Sequence, residues 1–157
     1  MVKMKSTVAL VLAAGQGSRL DSVIPKQYLK LGSKTVLRWS LETLCQHAKI
    51  DHVRVVINSE DKALYEDAVN GLELLNPIFG GVTRQESAKS GIESFCKIQP
   101  ARILIHDGAR PFINKTLIDR LLVRLDDSAA VIPVRKLTDT VKKLNGEWVE
   151  KTIISSK

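Results

Sequence analysis

The chain has 157 residues, 44% of them hydrophobic and only 4% aromatic, a length and composition that suit one Val/Ile/Leu-rich α/β domain with a real core. No stretch is long enough to span a membrane. The net charge of +7 points to an anionic partner, but the basic residues are spread along the chain and no aromatic stacking platform is apparent, which argues against nucleic acid.

The first predicted strand is the apolar run Val8 to Ala14, of the kind buried on both faces. Met1 to Ala14 superficially resembles a signal peptide. The apolar run is at the short limit for one, however, and phosphate-loop residues follow it directly, so it is taken as a strand. Next comes Gly15-Gln16-Gly17-Ser18-Arg19, a loop able to fold tightly and expose backbone N–H groups. Pro25-Lys26-Gln27 follows. With Arg19 and Lys26 beside it, the loop makes a cradle for a polyphosphate. A dinucleotide fingerprint would need glycine where Leu20 stands, and a Walker loop would need a terminal Gly-Lys-Ser/Thr; neither is present.

Tyr28 to Leu31 reads as a short extended piece closed by Gly32. Thr35 is a plausible N-cap for a helix whose Leu37, Leu41 and Leu44 share one face, with Trp39 at the margin. His52 to Ile57 is the next strand. Asp61 to Leu75 reads as a helix on Ala63, Leu64, Ala68, Leu72 and Leu75, ended by Asn76-Pro77. The glycine pair Gly80-Gly81 permits a tight turn with close approach to a ligand. A helix then runs from near Arg84 to about Lys97. Ser87 falls in its first turn, where it either caps the helix or meets a nucleotide.

Arg102 to His106 reads as a buried strand that delivers Asp107 to its carboxyl end, the edge where open α/β sheets bind ligands. A carboxylate facing a polyphosphate cradle suits magnesium; His106 reads as structural. Asn114 caps a helix from Lys115 to Leu125 with Leu117, Leu121, Leu122 and Leu125 inward. Ala129 to Val134 reads as a further strand. Thr140 to Leu144, Asn145-Gly146 and Trp148 to Ile154 form a hairpin pattern, an arm that needs something to pack on. A second copy of the chain is the simplest cover, and folding back on its own domain is the alternative. Cys45 and Cys96 form no C-x-x-C pair and read as reduced, buried thiols of a cytoplasmic protein. Alternating strands and helical patterns imply a mostly parallel sheet covered by helices.

The loop LAAGQGSRL followed by PKQY resembles the nucleotide-sugar and sugar-alcohol nucleotidyltransferases. With GGVTRQES and HDGARPF in the same order, the chain resembles the 2-C-methyl-D-erythritol 4-phosphate cytidylyltransferases over residues 6 to about 154. That resemblance implies a Rossmann-like nucleotidyltransferase fold with helices on both faces of the sheet. Residues 1–136 would form the core and residues 137–157 a protruding dimerisation arm. It also implies roles. Ala13, Ala14, Gly15, Gly81 and Ser87 would hold cytosine and ribose. Gly17, Ser18, Arg19 and Lys26 would hold the triphosphate, with Arg19 and Lys26 catalytic, and Arg84 would orient the second loop and bind nucleotide. Asp107 would hold Mg2+ or another divalent cation, and Asp107, Arg110 and Thr140 would meet the polyol phosphate. The partners implied are CTP, a polyol phosphate and a second copy of the chain. Ribitol 5-phosphate is the alternative acceptor, and a nucleotide-binding module without catalysis is the alternative class. The family continues past the arm with a Q-T-P-Q stretch and a further helical segment, so the chain reads as a shortened form whose substrate half is incomplete.

Overall fold

The structure, a computed structural model, describes residues 6–15 and 24–154. Strand β1 (Thr7–Ala13) runs to the first glycine loop. A 3-10 turn over Lys26–Tyr28 leads into the two-residue strands β2 (Lys30–Leu31) and β3 (Lys34–Thr35), then helix α1 (Val36–Cys45) and strand β4 (His52–Ile57). Helix α2 (Lys62–Val69), strand β5 (Ile78–Phe79), helix α3 (Arg84–Glu93), strand β6 (Arg102–Asp107) and helix α4 (Lys115–Arg124) follow. Strands β7 (Val141–Asn145) and β8 (Trp148–Ile154) close the described chain.

The main sheet is parallel, in the order β5-β4-β1-β6. Side chains alternate across a strand, and β1 uses both sides. Ala9, Val11 and Ala13 join Leu37, Leu41, Leu44, Ile118 and Leu122 in one core, while Val8 and Leu10 meet Val56 and Phe95 in a second. Helices therefore cover both faces, as the sequence implies. Gly91 of α3 sits so close to β1 that a Cβ there would meet the Leu10 side chain at 2.4 Å.

Helix α1 begins where expected: the Thr35 side chain accepts from the Arg38 N–H at 3.2 Å. Trp39 is half-buried at the margin and donates from Nε1 to the Leu31 carbonyl at 2.9 Å. Arg38 Nη1 donates to the carbonyls of Ala68 and Asn70 at 3.0 and 2.9 Å, satisfying the C-terminal end of α2. Glu42 fixes that guanidinium, accepting from Arg38 Nε at 2.9 Å and pairing with Lys34 Nζ at 2.5 Å.

Several expectations need correction. Helix α2 stops at Val69 rather than Leu75, because Gly71 turns left-handed at φ +79. Leu75 instead donates its N–H to Val53 O at 2.9 Å. Helix α3 ends at Glu93, four residues before Lys97, and passes into turns. In α4 the innermost residues are Ile118 and Leu122, with Leu117, Leu121 and Leu125 only partly buried. Strand β6 is not fully buried: it lies at the sheet edge, and Ile105 is 45% exposed. Ala129 to Val134 forms no strand among the described residues. The β6 edge pairs only with β1, and residues 129–134 stay largely exposed. Cys96 is exposed and Cys45 half-buried; both are free.

The hairpin forms, but its two-residue turn is Gly146-Glu147, because Asn145 already pairs with Trp148. Gly146 takes φ +61 and Glu147 is not left-handed, which fits the type II′ preference for glycine at the first turn position. The hairpin does not fold back into its own core. Trp148 is 82% exposed, and Leu144, Val149 and Ile153 are exposed as well.

The Glu42 cluster generates a pH prediction. The Lys34 hydrogen bond, the Arg38 bond and both positive charges outweigh burial and hold the Glu42 carboxyl below its ordinary value of 4.5. Its contribution to stability is complete above pH 4.5 and is lost as pH falls through the lower folded value. Denaturant unfolding across pH 3 to 7 is expected to show Glu42→Gln less stable than the native chain at pH 7, with the difference shrinking in acid.

Candidate functional site

All four strands of the main sheet point the same way, so their carboxyl ends share one edge. From β1 the chain moves outward through β4 and β5, then returns to the opposite side of β1 as β6. The reversal opens a crevice beyond the ends of β1 and β6, the usual ligand position in such sheets. An open pocket of about 440 Å³ lies there.

Four segments converge on this pocket. Leu12, Ala13, Ala14 and Gly15 continue from β1, and Lys26 and Gln27 come from the 3-10 turn. Thr83, Arg84 and Ser87 stand at the positive N-terminal end of α3 behind Gly81, Asp107 ends β6, and Ala109 and Arg110 follow it. Of the expected site residues, Ala13, Ala14, Gly15, Lys26, Gly81, Arg84, Ser87, Asp107 and Arg110 are brought together. Gly17, Ser18 and Arg19 lie outside the described residues. Thr140 does not line this pocket; it is exposed at the foot of β7.

The second glycine loop is shaped by contacts within the protein. A Cβ on Gly80 would fall 2.5 Å from Ala14 Cβ and 2.6 Å from Ser87 Oγ, and one on Gly81 would fall 2.5 Å from Glu86 Cβ. Neither glycine is left-handed, so close approach, not a special backbone angle, requires them. The cap of α3 is Thr83, not Ser87. Thr83 accepts from the Glu86 N–H at 3.1 Å, and Glu86 Oε2 accepts from the Thr83 N–H at 3.1 Å, a reciprocal capping box. Its signature, T-x-x-E at Thr83 to Glu86, is legible in the sequence but was overlooked beside the serine. Ser87 is buried; its Oγ accepts from the Gly81 N–H at 3.1 Å and donates to the Thr83 carbonyl at 3.0 Å. It ties the loop to the helix.

Asp107 is held between two guanidinium groups. Its Oδ1 accepts from Arg84 Nη2 at 2.7 Å and Nε at 3.2 Å, and its Oδ2 lies 3.1 Å from Arg110 Nε. Burial pushes its carboxyl upward, but the Arg84 hydrogen bond and the charges of Arg84 and Arg110 outweigh this and hold it below the usual carboxylate value. The loop backbone is pinned separately. The Arg110 carbonyl accepts from Ser40 Oγ at 2.8 Å and lies 2.9 Å from His106 Nε2. His106 is half-buried, and burial lowers its pKa. Its ring lies against the backbone of the Arg110 loop, which fits the structural reading of the sequence. Ser40, fully buried on α1, gave no separate sequence signal, because serine on an apolar helix face has no unique reading.

Gln27 is the other side chain that the sequence reading missed. It is 2% exposed, and its Nε2 donates to Ala13 O at 2.7 Å and Gly15 O at 3.0 Å. The carbonyl just before, Leu12 O, accepts from Gly108 N at 2.8 Å. Two other pocket segments thus satisfy the end of β1.

This fold and its converging loops define a nucleotidyltransferase α/β domain. The sequence model of one family, 2-C-methyl-D-erythritol 4-phosphate cytidylyltransferase (IspD), matches residues 7–156, and the chain belongs to that family. It is 42% identical over 150 residues to a bifunctional enzyme IspD/IspF of Paramagnetospirillum magneticum, covering 96% of this chain and 39% of that protein. With the bifunctional enzyme IspD/IspF of Wolbachia pipientis wMel it shares 39% over 160 residues, 99% of this chain and 40% of that one. The chain therefore spans about two fifths of the length of these curated relatives. Among solved structures, 4-diphosphocytidyl-2C-methyl-D-erythritol synthase from Anaerococcus prevotii superposes with a TM-score of 0.78 at 27% identity, covering 98% of this chain and 65% of that one. Bifunctional IspDF from Campylobacter jejuni gives 0.74 at 26% identity, over 93% and 37%.

The packing at Gly80 makes a stability prediction. Gly80→Ala places a methyl group between Ala14 and Ser87 and is expected to cost about 1–3 kcal/mol in denaturant unfolding. Gly15→Ala, whose Cβ would have nothing within 4 Å among the described residues, is expected to leave unfolding within about 0.5 kcal/mol of the native chain.

Proposed function

We propose that the pocket binds CTP and transfers its cytidylyl group to 2-C-methyl-D-erythritol 4-phosphate, giving 4-diphosphocytidyl-2-C-methyl-D-erythritol and pyrophosphate. The observation that carries this reading is the meeting of Ala13–Gly15, Lys26, Ser87 and Arg110 in one pocket at the carboxyl edge of the sheet. Ala13, Ala14, Gly15, Gly81 and Ser87 take the cytosine and ribose. Lys26, with Gly17, Ser18 and Arg19, takes the triphosphate, and Arg84 borders the nucleotide. Arg110 meets the acceptor phosphate.

The acceptor phosphate oxygen attacks the α-phosphorus in line. A new P–O bond forms as the bond to the β-phosphate oxygen breaks, and the electron pair leaves with pyrophosphate. The nucleophile is already an anion, so no side chain need be activated. The protein's part is positioning and charge stabilisation. Lys26 and Arg19 neutralise charge that grows on the α-phosphate oxygens and the leaving group.

The donor set fits a divalent cation of the magnesium kind. Among the described residues the pocket supplies one carboxylate, Asp107, and no group of three His, Cys, Asp or Glu side chains could cage a metal. Magnesium commonly takes one or two carboxylates plus phosphate oxygens. A carboxylate offers about four acceptor sites; Arg84 hydrogen-bonds to Oδ1 twice, and Oδ2 is ion-paired with Arg110. When bound, the ion would be held by Asp107 and the triphosphate and would offset charge on the leaving group.

The second part of the reading concerns the arm. An isolated hairpin is marginal in water, and Trp148, Leu144 and Val149 are exposed on this one. A second copy of the chain covers it, and Thr140 then approaches the substrate of the partner copy. Among the described residues no helix is long and apolar enough to cross a membrane. We place the protein in the cytoplasm and assign it no nucleic-acid partner.

The test is pyrophosphate release with CTP, magnesium and 2-C-methyl-D-erythritol 4-phosphate, beside ATP and ribitol 5-phosphate controls. Release that requires the first pair is expected; release with ribitol 5-phosphate alone would move the acceptor, and CTP binding without release would leave a nucleotide-binding module. Lys26→Ala is expected to keep its circular dichroism spectrum while turnover falls by a factor of hundreds, about 3–4 kcal/mol. Near-native turnover would remove Lys26 from the mechanism. Chelation with EDTA is expected to abolish release, and added magnesium to restore it.

A further inference from the structure

Lys26 and Gln27 share one 3-10 turn, but their side chains have opposite fates. Lys26 is exposed and lines the pocket, whereas Gln27 is 2% exposed. The turn is entered through Pro25, whose backbone is extended at φ −58 and ψ 140. It closes with Tyr28 N donating to Pro25 O at 2.8 Å and Leu29 N to Lys26 O at 3.3 Å. Tyr28, 5% exposed, is buried in the larger core. The turn is therefore anchored on one side by an aromatic ring and on the other by a carboxamide.

That carboxamide reaches the backbone just where β1 ends. Both acceptors, Ala13 O and Gly15 O, are carbonyls that can only accept, so the NH₂ group must face them. One nitrogen spends its two hydrogens on two carbonyls flanking Ala14. Ala13, Ala14 and Gly15 are also the residues that open onto the pocket. No other uncharged side chain of this length supplies two donors from one atom. Glutamate could only accept and would set a negative charge against two carbonyl oxygens. Methionine would fill the space and remove the Gln27 donor from both carbonyls.

We propose that Gln27 is a positioning residue: its carboxamide couples Lys26 to the backbone that follows β1, so the cation and the nucleotide cradle hold one fixed separation. This rests on the assignment of the pocket to CTP. Gln27 touches no reacting atom in this account; it acts through its neighbour Lys26 and through the Ala13–Gly15 backbone.

The experiment measures CTP dissociation with magnesium, by calorimetry, for the native chain, Gln27→Met, Lys26→Ala and the double variant, with thermal unfolding alongside. Gln27→Met is expected to weaken CTP about tenfold while remaining folded. In the Lys26→Ala background the same change is expected to add less than about threefold, because the two residues act as one unit. Native affinity in folded Gln27→Met, or a full tenfold loss in both backgrounds, overturns the proposal. A native chain that does not bind CTP overturns the pocket assignment and the proposal together, whereas tight native binding with an indifferent Gln27→Met overturns the proposal alone. A second measurement needs no variant. In ¹⁵N spectra of the native chain, the Gln27 NH₂ pair is expected to exchange slowly with water and to shift on addition of CTP. Fast exchange and no shift would count against the coupling.

Discussion

The structure depends on one strand being shared by two cores. β1 sends Ala9, Val11 and Ala13 to one face and Val8 and Leu10 to the other, and it pairs in parallel with β4 on one side and β6 on the other. Burial at roughly 25 cal/mol per Å² on both faces fixes its register firmly, since a slip of one residue would exchange the two sets. Only with that register fixed does the backbone after Ala13 stand at a set height above the sheet. Gly108 N and the Gln27 carboxamide then take the carbonyls of Leu12, Ala13 and Gly15.

Around that end the protein arranges charge of both signs. Among the described residues, Lys26, Arg84 and Arg110 line the pocket with a single carboxylate, Asp107. Three neighbouring cations would repel one another without a counter-charge, and Asp107 supplies it by engaging two guanidinium groups at once. Under the proposed reading, a phosphate-bearing ligand would offer the same guanidinium groups charged acceptors of comparable strength. Binding can thus exchange internal pairs for external ones without first creating bare charge. The pocket is braced by bonds within the protein: the Thr83–Glu86 capping box, the Ser87 hydroxyl, and the Ser40 and His106 contacts to the Arg110 carbonyl.

The glycines show how a sequence signal and its cause can differ. Gly80-Gly81 reads as a loop that lets a ligand come close. In the fold the missing side chains first make room for Ala14, Ser87 and Glu86, and the pocket forms as a consequence of that packing. The hairpin shows the reverse: its pattern is plain in the sequence, down to a glycine in the turn, yet only the fold shows that Trp148 stands exposed on it.

The sequence by itself determined the strands and helices whose apolar periodicity is strong: β1, β4, α1 and the hairpin. It also singled out Gly15, Lys26, Gly81 and Asp107, which the fold brings together in one pocket, because glycine, lysine and aspartate at those places have few other uses together. The weaker boundaries went astray where a local device overrode periodicity, as when the left-handed Gly71 ended α2 before Leu75. The tertiary structure alone decided which strand became an edge, leaving Ile105 half open and residues 129–134 without a ladder partner. It alone assigned the partners of Gln27, Ser40 and Asp107. Hydrogen bonds of this kind join residues 12 to 70 positions apart, and such pairings exist only once the sheet has brought the segments together.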